Sequence, residues 1–460
     1  MTLLQFLRNA RQVHLEFLAG TLAESPIYVL GNPSADLDSI ISSIVYSYYA
    51  NNRRPNTTPR PHIPLINLPN VPSDSELYRL RPEFVTAFWL STNFPALSTE
   101  DRFENASESA GKILRKHLMT VADFAADLKE RSKSGKIVAN AMLVDWNAMP
   151  IRDEQKGTGS VSGLENVSFR AVGCIDHHVN EDFMPPCEEL PQGQPLIIQP
   201  GPGSCASLIT DELNSGGFWD VSSAPEKSQI AKLALAAILI DTSNLTAKGK
   251  VTDVDVQSVG FLQRCISSLD HTWSMVGFYE QILTAKQNSL DLLTFEEVLD
   301  RDYKDWTEST DSSKTSLKLG FCSSVKPMRW LIQKAGGCQR FLEGIRSFAT
   351  SDDKQLDIVV VMTSFTSADE QFARELFVGA TGNGDVSVDA LNAFIEQSST
   401  QLGLEDWSYV DSEKIELDEG EIRSSMDGKF GIWTRLWIQT NSTASRKQVA
   451  PMLRSAVAKL

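Results

Sequence analysis

An aspartate and two histidines stand together at Asp176-His177-His178, closing the apolar run Ala171-Val172-Gly173-Cys174-Ile175. Acid and imidazole groups crowded onto a strand end are costly to bury unless something binds them, and a divalent metal is the usual partner. By itself a His-His pair on a loop is mostly a solvated bystander. Three further segments of the same form change that reading. Ile27-Tyr28-Val29-Leu30 runs into Gly31-Asn32-Pro33-Ser34-Ala35-Asp36-Leu37-Asp38-Ser39, Ala141-Met142-Leu143-Val144 ends at Asp145, and Ala236-Ala237-Ile238-Leu239-Ile240 ends at Asp241. Asp36 and Asp38, one residue apart, can offer oxygens to two neighbouring cations. Taken alone, that first loop reads plainly as an Asp-rich helix cap.

Each carboxylate is expected at a strand tip. In a parallel α/β sheet, residues just past the carboxyl ends of strands converge on one crevice, where ligands bind. Asp38, Asp145, Asp176 and Asp241 are therefore predicted to meet in space, with the histidine pair among them, as a two-metal centre. Between the third and fourth sites, Gly201-Pro202-Gly203-Ser204-Cys205-Ala206-Ser207 follows the apolar Pro195-Leu196-Ile197-Ile198. Small residues opening a helix let backbone N–H groups approach a phosphate, so Ser204 is a candidate substrate contact.

Strand and helix signals alternate through the first 270 residues, as a mainly parallel α/β domain requires. Residues 51–74 read as an excursion holding a short strand at 64–68, 99–136 as helical, and 152–168 as a surface loop. Residues 226–240 read as a helix running into a strand that ends at Asp241. Residues 253–283 are helical. The expected organisation is a domain over 1–283, a helical linker over 284–299, and a smaller α/β domain over 300–460. In that second domain 314–324, 356–364 and 431–440 read as strands, 328–350 as a helix, and 447 onward as the last helix.

At 460 residues the chain is long enough for two domains. A formal charge of −16 repels nucleic acid and anionic membranes over most of the exterior. No nucleic-acid or membrane partner is expected, and a monomer is. A polyanionic substrate then needs a local basic patch. Six cysteines without a Cys-x-x-Cys imply neither a zinc site nor a disulfide framework. Residues 3–22 have helical periodicity without a signal-peptide core, and read as a docked helix. A cytoplasmic location is expected; Ala458-Lys459-Leu460 is similar to the Ser-Lys-Leu peroxisomal address, the lesser expectation.

The segments GNPSADLDS, LVDWN, GCIDHH and ILIDT, in that order, resemble the four motifs of the DHH phosphoesterase superfamily. Ala444-Ser445-Arg446-Lys447-Gln448-Val449-Ala450-Pro451 is similar to the Ser-Arg-Lys segment of the C-terminal domain shared by family II inorganic pyrophosphatases, fungal exopolyphosphatases and prune-type proteins. Arg301-Asp302-Tyr303-Lys304-Asp305-Trp306 resembles the start of that domain. The Gly-Gly-Gly-His element of nuclease-type members is missing. Gly31-Asn32, where family II pyrophosphatases carry histidine, matches fungal exopolyphosphatases and prune-type proteins. Trp146 departs from the usual Val-Asp-His-Asn, which leaves Asp145 in place and puts only secondary contacts in doubt.

The resemblance implies an N-terminal mainly parallel sheet flanked by helices, plus the smaller C-terminal domain. It implies an exopolyphosphatase, a metal-dependent hydrolase that releases orthophosphate from the end of inorganic polyphosphate. Asn32 and Asp36 would bind one metal, Asp38, His177 and Asp241 the other, and Asp145 both. His178 would contact the phosphoryl group, with Asp176 anchoring a neighbouring imidazole. Lys304, Arg446 and Lys447 would bind and neutralise the substrate. For the basic patch that the charge balance alone calls for, Arg374, Lys326 and Arg329 are weaker candidates, each read plainly as solvated surface charge. An amide oxygen is a harder ligand than imidazole, so Mg2+ is the expected cofactor, with Mn2+ or Co2+ as substitutes. The alternatives are a pyrophosphatase, a prune-type short-chain polyphosphatase or cyclic-nucleotide phosphodiesterase, and, in another class, a non-catalytic binding protein on the same fold.

Overall fold

The computed structural model describes residues 1–22, 24–51, 60–92, 103–130, 136–217, 219, 224–267, 273–311, 315–367, 371–382, 384–408 and 432–460. Parts of the expected excursion at 51–74, of the helical stretches 99–136 and 253–283, and Gly431 of the last expected strand lie outside them. The chain divides into two compact units, Met1–Asp291 and Leu292–Leu460.

The first unit is built on a sheet of β1 (Ile27–Leu30), β2 (His62–Leu65), β3 (Ile137–Val144), β4 (Ile151–Arg152), β5 (Thr158–Ser160), β6 (Val167–Asp176) and β7 (Leu196–Ile198). The order is β2-β1-β3-β6-β5-β4, with β7 also paired to β6. All pairings among β1, β2, β3, β6 and β7 are parallel. Strands buried on both faces need continuous apolar runs, which is what β1 and the end of β3 provide. The chain leaves β1 for β2 on one side and returns to β3 on the other. The order therefore reverses between the tips of β1 and β3, the position where ligands bind in such sheets.

Helices flank this sheet: α1 (Leu3–Ala19), α2 (Leu37–Asn51), α3 (Ser75–Leu80), α4 (Pro82–Thr92), α5 (Phe103–His117), α6 (Val121–Glu130), α7 (Cys205–Ser215), α8 (Ala224–Asp241), α9 (Asp253–Ser267) and α10 (Met275–Asn288). A capping box of Thr2 and Gln5 starts α1, and Gly20 ends it in the left-handed region at φ 75°. The core gathers Tyr28, Phe84, Phe88, Phe124 and Phe169, all fully buried.

Two expectations for this unit are corrected. Residues 152–168 are more than a loop: β4 and β5 form an antiparallel hairpin on the edge of β6. Asp241 ends a helix, not a strand, because α8 continues unbroken to it. From Ile230 to Leu239 every residue of α8 is buried. A helix buried all round, aliphatic here but for Lys232, has no amphipathic period, so its run of residues looks like a buried strand.

The second unit begins with α11 (Phe295–Asp300) and holds a sheet of β8 (Tyr303–Ser309), β9 (Ser316–Ser324), β10 (Ile358–Thr363), β13 (Glu375–Ala380), β14 (Leu404–Asp406) and β15 (Trp433–Gln439). Its order is β14-β15-β13-β10-β9-β8, with only the β9/β10 pair parallel. A small hairpin, β11 (Phe365–Thr366) and β12 (Phe372–Ala373), extends the β10/β13 pair. Helices α12 (Met328–Ala335) and α13 (Cys338–Thr350) replace the single expected helix. Gly336 and Gly337 separate them at φ 92° and 113°, a conformation that side chains with a Cβ rarely adopt. On one face of the sheet, α14 (Gly384–Leu402) and α15 (Arg446–Ala458) pack their apolar residues against Leu319, Phe321, Val360, Leu376 and Val378. Ser445 and Gln448 form the capping box that starts α15.

Candidate metal centre

At the reversal point, Asp145 follows β3 in the left-handed region at φ 54°, a strained conformation for a residue with a Cβ and one found preferentially at functional sites. Its Oδ2 accepts from Asn32 Nδ2 and Ser39 Oγ, both at 2.6 Å. Its Oδ1 accepts no well-aligned hydrogen bond. That oxygen faces His177 Nε2 at 3.1 Å and His178 Nδ1 at 3.6 Å. Asp145, His177 and His178 each bring a donor atom within 4.8 Å of the others.

His177 gives Nδ1 to the Pro202 carbonyl at 2.8 Å, which orients Nε2 toward Asp145. A carbonyl partner on one ring nitrogen is the usual way a histidine is set to ligate through the other. His178 is turned by Asp176 instead: Asp176 Oδ1 lies 2.8 Å from His178 Nδ1 and accepts its backbone N–H at 3.2 Å. The other Asp176 oxygen accepts from Asn147 Nδ2 at 2.5 Å.

The remaining expected ligands do not join that tight group. Asp38 is 2% exposed and points at the start of α7, where the N–H groups of Cys205 and Ala206 donate to it at 2.6 and 3.0 Å. Asp36 is exposed and accepts from the Ser39 N–H at 3.0 Å, so it caps α2. Asn32 turns its NH2 group to Asp145 and its oxygen to the Ser34 N–H. Asp241 sits at the end of α8, where the helix dipole disfavours a carboxylate unless a cation is near.

The turn at 201–207 corrects a further expectation. Gly203 N–H donates to Asp255, and the next amides donate to Asp38. Carboxylates of the protein already occupy the positions foreseen for phosphate. Ser204 is fully buried at the N-cap, with a hydroxyl that meets no hydrogen-bond partner. It offers no surface to substrate.

The charges show what the centre lacks. Burial, then the Asp145 charge, pushes the Asp38 carboxyl up to about 6. Burial, then Asp38 and Asp36, raises Asp241 well above the usual range. Burial also works against ionised Asp145, but the His177 hydrogen bond and the His178 and His177 charges hold it down to about 2. His177 in turn resists protonation by burial, yet Asp145 and Asp38 raise it to about 10. A proton on His177 thus supplies positive charge that a metal would supply. Crowded carboxylates around the buried Asp145 oxygen and an imidazole aimed at it fit a hard or borderline divalent cation. Cys205 beside them is kept a thiol by burial, then by Asp38, and offers no thiolate.

Several residues that hold this arrangement carried no sequence signal. Arg81, 6% exposed, donates Nε to the Ala35 carbonyl at 2.8 Å and Nη2 to the Ser34 carbonyl at 2.6 Å, clamping the loop that carries Asn32 and Asp36. Asn67 donates to the Gly31 carbonyl. Ser39 sits inside a recognisable motif, but its bond to Asp145 requires the fold. Trp146 is half-buried against the core.

In the second unit, Arg446 donates to Asp302 Oδ1 at 2.7 Å, to the Asp302 carbonyl at 2.9 Å and to Ser323 Oγ at 3.3 Å. Lys304 on β8 shares the α15 face with Trp306 and Glu308, which Arg454 of α15 covers. Lys447 is exposed in the first turn of α15. Arg329, expected as surface charge, is 4% exposed and lies near Glu375.

Across nearly its whole length the chain is similar to a protein of Schizosaccharomyces pombe named "Putative exopolyphosphatase", with 30% identity over 468 residues, 99% of this chain and 98% of that one. Residues 280–456 match the DHHA2 domain. The chain belongs to the DHH superfamily and is exopolyphosphatase-like. It is similar also to two solved structures. One is a putative family II inorganic pyrophosphatase of Methanococcus jannaschii, with 17% identity, a TM-score of 0.48, and 94% of this chain and 99% of that one covered. The other is an exopolyphosphatase-related protein of Bacteroides fragilis, with 10% identity, a TM-score of 0.35, and 97% and 96% covered. As a DHH protein this chain is a hydrolase of the phosphoesterase type, and its DHHA2 domain accounts for the second sheet.

Proposed function

We propose that the protein is an exopolyphosphatase that removes orthophosphate from the end of inorganic polyphosphate, with magnesium as its cofactor. One observation carries the reading: the buried Asp145 oxygen that the His177 and His178 imidazoles both face, with buried Asp38 and half-buried Asp241 adding their charge. That is a site short of positive charge. The name of the S. pombe relative supports polyphosphate as the substrate class.

Asp145, Asp38, His177 and Asp241, with Asn32 and Asp36, would hold two divalent cations. Such a pair would supply an activated water near neutral pH and the positive charge to neutralise a phosphoryl group under attack. Water adds to the terminal phosphorus and gives up a proton to solvent, the bridging P–O bond breaks, and the shortened chain leaves with its electron pair. His178, with Nδ1 on Asp176, keeps Nε2 for a terminal phosphoryl oxygen. Lys304, Arg446 and Lys447 bind the chain's negative charge; positioning and neutralisation carry most phosphoryl-transfer catalysis. Asn32 in place of an imidazole favours magnesium over manganese.

The test is phosphate release from polyphosphates of graded length, beside pyrophosphate and cyclic AMP, with magnesium and with manganese. Turnover of polyphosphates with magnesium, lost in Asp145→Asn, is the expected result. Preference for pyrophosphate would make it a pyrophosphatase. Metal binding without turnover of any substrate would leave a binding protein.

A further inference from the structure

We infer that Arg374 binds phosphoryl units of the chain beyond those met by Lys304, Arg446 and Lys447, an assignment that rests on the polyphosphate reading above. Arg374 directly precedes β13 and lies on the face that carries Leu376 and Val378, the face covered by α15. Its Nε donates to the Ser442 carbonyl at 2.7 Å, in the loop that leads into Ser445 and Arg446. Its guanidinium also stacks on Phe372, 5.0 Å from the ring centre. These two contacts fix the plane of the group beside the start of α15.

Among the described residues the guanidinium has no counter-ion. Arg446 has Asp302, Arg454 has Glu308, and Lys354 has Asp300. Among the described residues no carboxylate pairs with Arg374, and Nε is the only one of its nitrogens with a hydrogen-bond acceptor. It is nonetheless half-buried, and burial lowers its pKa with nothing nearby to offset the effect. A partly buried, unpaired cation is costly unless an anion completes it, and a fixed planar fork with free N–H groups suits phosphate oxygens.

Its position suits a long substrate. Ser323 on β9, which Arg446 touches, shares this sheet face with Arg374. From β9 to β13 is two strand spacings, on the order of 10 Å across the sheet. A cation that far from Arg446 has little to offer the end of a short oligophosphate and much to offer a chain. Phe372, on which the guanidinium stacks, is itself 51% exposed.

The experiment measures equilibrium binding of long-chain polyphosphate and of tripolyphosphate to Asp145→Asn protein, with and without Arg374→Gln. Loss of one charge-assisted contact should weaken long-chain binding about tenfold, and tripolyphosphate binding less than about twofold. Arg374→Lys should recover part of the loss. Equal long-chain affinity, or an equal loss for both ligands, overturns the assignment. Turnover by the unaltered protein separates this idea from the one it rests on. Polyphosphate hydrolysis with no long-chain defect in Arg374→Gln sinks Arg374 alone. No hydrolysis of any polyphosphate, with binding still weakened, sinks the reaction and leaves the anion site.

Discussion

Ser39 Oγ donates to Asp145 Oδ2 at 2.6 Å, joining the first turn of α2 to the tip of β3 across 106 positions of sequence. The same hydroxyl accepts the Asn32 N–H at 3.1 Å. Gly31 permits this closeness: a Cβ there would lie 2.8 Å from Ser39 Cβ. One small polar side chain thus sets the spacing between the first two motifs.

Removing that hydroxyl should loosen both motifs. Ser39→Ala leaves one oxygen of a buried carboxylate short of a donor, at a cost of about 2 kcal/mol. A lower melting temperature and weaker divalent-metal binding by calorimetry are expected. Unchanged metal affinity would remove Ser39 from the support of the centre.

Arg81 is a positioning residue, acting through backbone carbonyls. Arg81→Ala strands the Ser34 and Ala35 carbonyls and should destabilise the protein by roughly 3 kcal/mol. Its particular signature is metal affinity reduced more than in a surface arginine variant of equal stability. Thermal melts paired with metal titrations read this directly, and a purely thermal effect would contradict it.

Asn32→His exchanges an amide for a softer ligand. Activity with manganese relative to magnesium should rise. The ratio of the two rates on one polyphosphate is the measurement, and an unmoved ratio defeats the ligand-hardness argument.

Glu375 offers a test of pH in the second unit. Its carboxylate accepts from the Met328 N–H, Thr363 Oγ1 and Trp407 Nε1, yet burial outweighs them and raises its pKa above the ordinary 4.5. The folded state therefore holds this proton more tightly than the unfolded chain does. The group's stabilising contribution is full below about 4.5 and declines as pH rises through the folded value. Denaturant melts across that range should show wild-type stability falling relative to Glu375→Gln as pH increases. A rise or a flat difference would reverse the sign.

Asp145, His177 and His178 were legible because a short apolar strand closing on carboxylate and imidazole presents those groups where a parallel sheet binds its ligands. The tip of β1 was equally plain, though its two aspartates part company in the structure: Asp36 caps α2, while Asp38 reaches the amides of α7. Sequence spacing shows that two carboxylates are near one another, not where each one points. Asp241 stands in a recognisable motif but ends a helix where the sequence reads as a strand, since a helix buried on every side loses the period that marks it. The phosphate turn at Gly203 and Ser204 failed for a related reason. Helix amides attract anions without regard to source, and the chain's own Asp38 and Asp255 arrived first.

Local chemistry along the chain was enough to determine the alternating α/β plan, the acidic and histidine tips, and the basic Ser-Arg-Lys segment. Tertiary structure alone decided which partners each charge has: Arg446 on Asp302, Arg81 on the distant Ser34 and Ala35 carbonyls, Arg374 on none of the described carboxylates. Strand and helix preferences act over a few neighbouring residues. Ion pairing and desolvation depend on distances between segments a hundred or more positions apart, and only the folded chain sets those.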